Sequence, residues 1–196
     1  NVDGLTEGGT YTFAVFAQNS KGWSAQSSTV QVNLLGRPSA PGVPNLSNET
    51  STSLSASWSA PSDNGGASIT NYALRRYSGS SASGAVVSDN AFSLSRTVSG
   101  LTPGATYTFT TVAYNSVGWG AESGPRTITL SKRPDPPTGV AASDVQSISL
   151  AISWSAPGNT GGLPITNYLV RRWTGSSASG SYTDITVAAS ARSALI

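Results

Sequence analysis

The residue types that carry most enzyme chemistry are scarce in this chain of 196 residues. It contains no histidine and no cysteine, so the usual serine triad, a thiolate nucleophile and the common zinc ligand sets cannot be built. Serines are abundant, but nothing nearby is suited to activate them. The only two lysines, Lys21 and Lys132, fall in a predicted loop and a predicted linker. Nucleophilic catalysis is therefore not expected.

Paired carboxylates could still carry out acid–base chemistry. An internal repeat offers a check, because a site shared by the repeats would have acidic residues at equivalent positions. The sequence repeats with a period of 96 residues, yet none of the nine acidic residues has an acidic counterpart one period away. Asp63 aligns with Asn159, for example. The Asp63-Asn-Gly-Gly66 turn has a superficial likeness to a calcium loop, but one acid offers too few oxygen ligands. We therefore predict no enzyme activity, no metal site and no cofactor.

The arginines differ from the acids because several of them recur at the repeat distance. Arg75 and Arg76 align with Arg171 and Arg172. Neighbouring residues of a strand point to opposite faces, so only one of each pair can face outward. Tryptophans follow a glycine in the loop after the strand that should pair with this arginine strand. A guanidinium stacked on an indole would form a cation–π ladder contributing about 0.5–2 kcal/mol per pair.

Two interpretations of this arginine and aromatic set stay open. In the first, the ladder only stiffens the sheet or the junction between modules. In the second, it is an exposed aromatic platform that contacts a glycan or a partner protein. Aromatic residues just before the Gly-Ser-Ser-Ala-Ser-Gly loop extend the same surface. The candidate contact residues are Trp23, Trp119, Arg75, Arg76, Tyr77, Arg171, Arg172 and Trp173.

The repeat also sets the domain organisation. Residues 67–84 align without gaps to residues 163–180, with 12 of 18 positions identical. A period of this length is typical of a whole domain rather than of a small solenoid unit. We predict the C-terminal part of a module in residues 1–36, a complete module in 37–132 and the N-terminal part of a further module in 133–196. Either the polypeptide is longer, or neighbouring copies complete each other's halves.

Alternating apolar and polar residues between turn signals predict short strands in the complete module. Leu54, Ala56 and Trp58 should share one buried face. The pattern predicts a flexible loop over residues 79–84, and strands over residues 52–58, 69–77, 91–98, 106–114 and 121–130. About seven short strands, with turns every 8–12 residues, are typical of an antiparallel β-sandwich.

Several motifs occur in a fixed order, and part of the series occurs twice. They are a proline-rich start (Pro38, Pro41, Pro44), Trp58 late in the second strand, Tyr72 in the third, and Leu101-Thr-Pro-Gly-Ala-Thr-Tyr107, repeated as Leu5-Thr-Glu-Gly-Gly-Thr-Tyr11. Together these residues resemble the fibronectin type III family along the whole chain. The resemblance implies an all-β fold of tandem antiparallel sandwiches of the fibronectin type III or immunoglobulin-like kind. The resemblance also implies that Tyr11 and Tyr107 each form a tyrosine corner, in which the tyrosine hydroxyl makes a hydrogen bond back to the backbone.

The resemblance and the composition together narrow the function. Some relatives bind integrins through an Arg-Gly-Asp tripeptide, which the corresponding loop, residues 115–123, lacks. The net charge is +2, with no basic run longer than two residues, so nucleic acid is not an expected partner. No apolar stretch approaches the roughly 18 residues of a membrane span. Proline-stiffened connections such as residues 130–137 predict a semi-rigid rod.

We therefore predict a non-catalytic structural or adhesive spacer, built of modules similar to those of bacterial and phage extracellular proteins. It would belong to a bacterial surface fibre, a secreted protein or a phage tail appendage, and lie outside the cell, on its surface or on a virion. Two alternatives are spacer modules of a secreted polysaccharide-degrading enzyme, and a self-assembling filament subunit completed by intermolecular strand exchange. The expected partners are neighbouring modules or copies of the chain itself, and a cell-surface glycan or another structural protein.

Overall fold

The computed structural model describes residues 2–196, and every regular element in that range is a strand. Within the described residues there is no helix that could cross a membrane. The chain divides into two compact units. The first comprises the residues up to Leu101 together with Ala105–Thr129, and the second comprises Thr102–Gly104 together with Leu130–Ile196.

The first 36 residues contribute two short antiparallel pairs to the first unit. Strand β1 (Thr10–Phe13) pairs with β4 (Val30–Asn33), and the two-residue strands β2 (Gln18–Asn19) and β3 (Gly22–Trp23) form a hairpin between them. The Tyr11 hydroxyl accepts a hydrogen bond from the Thr6 backbone N–H at 2.7 Å. This is the bond that the tyrosine-corner motif predicts.

The next part of the first unit contains seven strands in two antiparallel sheets. The three-stranded sheet has the order β5-β6-β9, and the four-stranded sheet has the order β11-β10-β7-β8. The strands are β5 (Asn45–Ser47), β6 (Leu54–Ser57), β7 (Asn71–Ser78), β8 (Val86–Ala91), β9 (Ser95–Val98), β10 (Thr106–Tyr114) and β11 (Arg126–Thr129). The predicted all-β sandwich class is confirmed.

The core lies between these two sheets, as the alternation predicts. Leu54, Ala56 and Trp58 are all buried, and the Trp58 ring centroid is 6.2 Å from that of Tyr72 on the facing sheet. Phe109, from β10, has no exposed surface. Burial of side chains of this size contributes about 1.5–3 kcal/mol each, which makes this layer the main source of stability.

One predicted strand is wrong. Residues 91–98 do not form a single strand, because the chain leaves the four-stranded sheet at the end of β8 and enters the three-stranded sheet at the start of β9. Phe92 lies in this crossing and is 89% exposed. The sequence pattern also gave no sign of β8, because its central Ser-Asp-Asn run has low β-propensity.

The second unit repeats the same arrangement in part. Its three-stranded sheet consists of β12 (Thr138–Ser143), β13 (Ala151–Ser155) and β16 (Ser193–Leu195), and a separate pair consists of β14 (Asn167–Trp173) and β15 (Tyr182–Ala188). Trp154 and Tyr168 are buried in its core with ring centroids 5.4 Å apart. The β14–β15 register matches that of β7–β8 one period earlier. The two hairpins therefore pair equivalent sequence positions in the same way.

Candidate functional site

The two arginines of β7 point to opposite faces of the sheet, as predicted. The Arg76 guanidinium carbon lies 5.8 Å from the ring centroid of Tyr107, at the edge of the inner face. Arg75 lies on the outer face, where its Nη1 is 3.4 Å from Oε2 of Glu122. Each arginine thus has its own environment, and only Arg75 belongs to the outer surface of the sandwich.

Glu122 is the centre of a polar network on that outer face. Its Oε1 accepts a hydrogen bond from the Tyr77 hydroxyl at 2.8 Å and another from the Thr110 hydroxyl. Partial burial by itself raises the pKa of Glu122. The two hydrogen bonds and the charge of Arg75 outweigh that effect, so the pKa lies below its ordinary value. Tyr77 is only 6% exposed, because this network covers it.

The predicted ladder of arginine on tryptophan does not form. Among the described residues, no guanidinium lies over the ring of Trp23 or Trp119. Arg75 is engaged by Glu122 instead, and the Trp119 ring lies against Tyr114 with the centroids 5.0 Å apart. Trp119 is partly exposed and Trp23 is 67% exposed. Their role as contact residues stays a prediction.

A cation–π arrangement does occur in the second unit, with a different aromatic partner. The Arg171 guanidinium carbon is 3.8 Å from the Tyr182 ring centroid and 5.9 Å from that of Trp173. Its Nε and Nη2 donate to the two carboxylate oxygens of Asp184 at 2.7 and 2.8 Å. The hydrogen bonds from Arg171 lower the pKa of Asp184. Arg172 is exposed on the opposite face of the strand.

Tyr182 and Asp184 were not among the predicted site residues. Their counterparts in the complete module, Val86 and Ser88, gave no reason to select them. A signal was nevertheless available, because Tyr182 and Asp184 alternate along the chain as Arg171 and Trp173 do. Such a pattern places all four side chains on one face once the two strands pair.

A second feature recurs in both units and concerns the linkers. The backbone N–H of Gly36 donates to the Gly65 carbonyl at 2.8 Å, and that of Lys132 donates to the Gly161 carbonyl at 2.9 Å. These positions are one repeat period apart. The same relation holds for a second pair of bonds, Ser39 to Asp63 and Asp135 to Asn159, each 2.9 Å. We call this repeated attachment of a linker to the turn of the module that follows it the linker clamp.

The glycines of the linker clamp are required by the close approach of two backbones. Gly65 and Gly161 have φ angles of 70° and 78°. A Cβ atom at Gly65 would lie 2.0 Å from the Gly36 carbonyl oxygen, and one at Gly161 would lie 2.1 Å from the Lys132 carbonyl oxygen. No other residue type fits such positions without displacing the linker.

Asn115 completes the linker clamp in the first unit. Its amide nitrogen donates to the carbonyl oxygens of Gly36 and Asn64 at 2.7 and 2.8 Å. Its Oδ1 accepts from the backbone N–H groups of Val117 and Gly118 at 2.9 and 3.2 Å. The side chain is fully buried with all of its hydrogen-bonding capacity in use. Sequence reasoning missed Asn115, although Asn19 recurs one period earlier.

No grouping of metal-ligating side chains occurs in the described part of the chain. The Asp63 carboxylate accepts the backbone N–H of Gly65 at 2.8 Å, which is the geometry of an ordinary Asx turn.

Comparison with known proteins identifies the family. The sequence model of the fibronectin type III domain matches residues 39–129 and 135–196. Human usherin is 34% identical over 85% of this chain, and exoglucanase B of Cellulomonas fimi is 33% identical over 92% of it. Chitinase A1 of Niallia circulans is 35% identical over 60%. Domains A168-A170 of titin, a solved structure, align over 66% of this chain and 44% of that one, with 24% identity and a TM-score of 0.48.

This chain spans only a small part of these relatives, namely 3% of usherin, 18% of exoglucanase B and 17% of chitinase A1. What they share with it is therefore the repeated module. The matched residues cover both repeats, and both have the sandwich strands described above. The chain belongs to the fibronectin type III family.

Proposed function

We propose that this chain is a non-catalytic spacer of an extracellular bacterial protein that degrades polysaccharides. The observation that carries the spacer role is the linker clamp, since the same backbone bonds fix the linker in both units. A spacer needs linkers that do not hinge freely, and at Gly65 and Gly161 the backbone of the turn is in close contact with the backbone of the linker.

The choice of host protein rests on the bacterial relatives. Two of them, exoglucanase B of Cellulomonas fimi and chitinase A1 of Niallia circulans, are named for polysaccharide hydrolysis. Endoglucanase B of Cellulomonas fimi is 30% identical over 84% of this chain. These relatives favour the alternative of spacer modules in a hydrolase. The surface fibre and the phage tail appendage rest on the type of module alone, and the strand-exchanged filament rests on the half-modules predicted in residues 1–36 and 133–196.

The spacer role can be tested by placing the chain between two fluorescent domains and measuring single-molecule energy transfer. The control is a Gly-Ser linker of the same length, for which a random coil has an r.m.s. end-to-end distance of about 5–6 Å times the square root of the residue number. We expect a much narrower distance distribution for this chain than for the control. A distribution as broad as that of the flexible linker would contradict the proposal.

A further inference from the structure

The outer face of the β14–β15 hairpin carries four side chains that form one continuous surface. We call it the aromatic–arginine patch. Trp173 is directly opposite Tyr182, and Arg171 is directly opposite Asp184, so all four side chains project from the same face. The rings of Trp173 and Tyr182 are 6.3 Å apart and meet edge to face.

The polar half of the patch is held in place and still has hydrogen-bonding capacity. Arg171 uses its Nε and Nη2 groups on Asp184, which fixes the guanidinium plane. A guanidinium has five N–H donors, so donors remain for a ligand, and each carboxylate oxygen has a second lone pair. The charges of Arg171 and Asp184 cancel. The patch therefore suits a ligand that has many hydroxyl groups and no net charge.

One of the two aromatic rings of the patch, that of Tyr182, is open to solvent. Tyr182 is 54% exposed even though the Arg171 guanidinium stacks on its ring. The equivalent residue in the complete module, Val86, is 45% exposed. The position of Val86 thus faces solvent even though its strand, β8, is part of a four-stranded sheet. A tyrosine here presents a large ring surface at the protein boundary rather than in a core.

The fold itself does not require the patch. In the complete module the equivalent positions hold Tyr77, Val86, Arg75 and Ser88, and the same hairpin register forms. There a valine, Val86, stands at the position of Tyr182, so the two positions hold no aromatic pair. Since one repeat folds without these side chains, their presence in the other repeat calls for an explanation beyond folding.

We propose that the aromatic–arginine patch binds an uncharged polysaccharide such as cellulose or chitin. The apolar C–H face of a pyranose ring would stack on the exposed ring of Tyr182, beside the half-buried Trp173. Its hydroxyl groups would accept from the remaining N–H donors of Arg171 and donate to Asp184. The polysaccharide class rests on the proposed function, and the location of the site rests on the geometry of the patch.

The test is depletion of the 196-residue chain from solution by microcrystalline cellulose and by chitin. The variant Tyr182→Val places the residue of the sister repeat at this position, so the hairpin should still fold, as a thermal unfolding curve would verify. We expect its affinity to fall about tenfold. We also expect the binding of the unmodified chain to change little between about 0.05 and 0.5 M salt, because the patch is neutral.

The matched control is Phe92→Ser, which removes an exposed aromatic residue outside the patch. We expect this variant to bind like the unmodified chain. Failure of the unmodified chain to bind either solid would overturn the inference, as would equal losses in the two variants. Neither result would affect the spacer role, which the distance distribution tests by itself. A chain that bound polysaccharide but behaved as a flexible coil would instead overturn only the spacer role.

Discussion

At the scale of single residues, Asn115 and Glu122 organise the polar structure of the first unit in different ways. Asn115 joins a linker, a turn and its own loop through four hydrogen bonds in a site from which water is excluded. Glu122 collects a tyrosine, a threonine and an arginine on the outer face of the sheet. Asn115 thus ties backbone segments together, whereas Glu122 ties together side chains of β7 and β10.

Replacement of Asn115 by alanine should destabilise the first unit strongly. The variant removes the donor to the carbonyl oxygens of the buried Gly36 and of Asn64, and loss of a donor to a buried acceptor costs about 1–3 kcal/mol. We expect the free energy of unfolding to fall by about 2–4 kcal/mol, measured by urea denaturation. Asn19→Ala is the control, since Asn19 is exposed and should matter by less than about 0.5 kcal/mol. Equal effects of the two variants would contradict this role.

The network around Glu122 predicts a pH dependence. Because the folded-state pKa of Glu122 lies below its ordinary value of 4.5, the carboxylate stabilises the fold above that value. This contribution is lost as the pH falls through the lower, folded-state pKa. Glu122→Gln should therefore lose less stability than the unmodified chain between neutral and strongly acidic pH, measured by denaturant unfolding across that range. An unchanged pH slope in the variant would argue against the network.

At the scale of elements, the linker clamp depends on backbone approach rather than on side-chain packing. The donors and acceptors that recur in both units are main-chain groups, and Asn115 adds its side-chain amide in the first unit only. The glycines of the clamp lie where a Cβ atom would collide with the preceding linker. The same bonds recur one period later with different side chains at most of the positions. The two repeats therefore share the backbone path at the linker and not the side chains.

Substitution of Gly65 by alanine separates steric collision from conformational strain. Gly65 and Gly79 both have positive φ angles, of 70° and 97°, but only Gly65 has a backbone oxygen 2.0 Å from the added Cβ. We expect Gly79→Ala to cost about 1 kcal/mol through strain alone, and Gly65→Ala to cost well above 2 kcal/mol. Thermal unfolding of the two variants provides the comparison. Similar costs would indicate that the linker moves aside freely.

The strands that sequence reasoning predicted well are those with clear alternation. The β10 strand has the predicted bounds, and the Leu54 to Trp58 face is buried as expected. Strand β8 was missed because its central residues are polar and because the turn into β9 looks like continued strand. A crossing between sheets depends on tertiary topology. The apolar Phe92 lies in this crossing, and local alternation reads it as part of a strand.

At the scale of the whole molecule, the internal repeat was sufficient to predict the family. It was less useful for predicting which residues contact the arginines. The arginine positions and their opposite orientations followed from spacing and strand geometry. The partners of those arginines did not, because Glu122 and Asp184 occur in one repeat each. Their positions beside Arg75 and Arg171 depend on which strand lies next to the arginine strand and in which register. Local sequence does not contain that information.

We propose that the linker clamp gives this chain the defined geometry of a spacer, and the distribution of distances between two flanking fluorescent domains measures that geometry. We expect a narrow distribution for the unmodified chain and a clearly broader one for Asn115→Ala, with Asn19→Ala indistinguishable from the unmodified chain. A distribution as broad as that of a Gly-Ser linker for the unmodified chain, or a narrow distribution left unchanged by Asn115→Ala, would show that the linker clamp does not set the geometry of the chain.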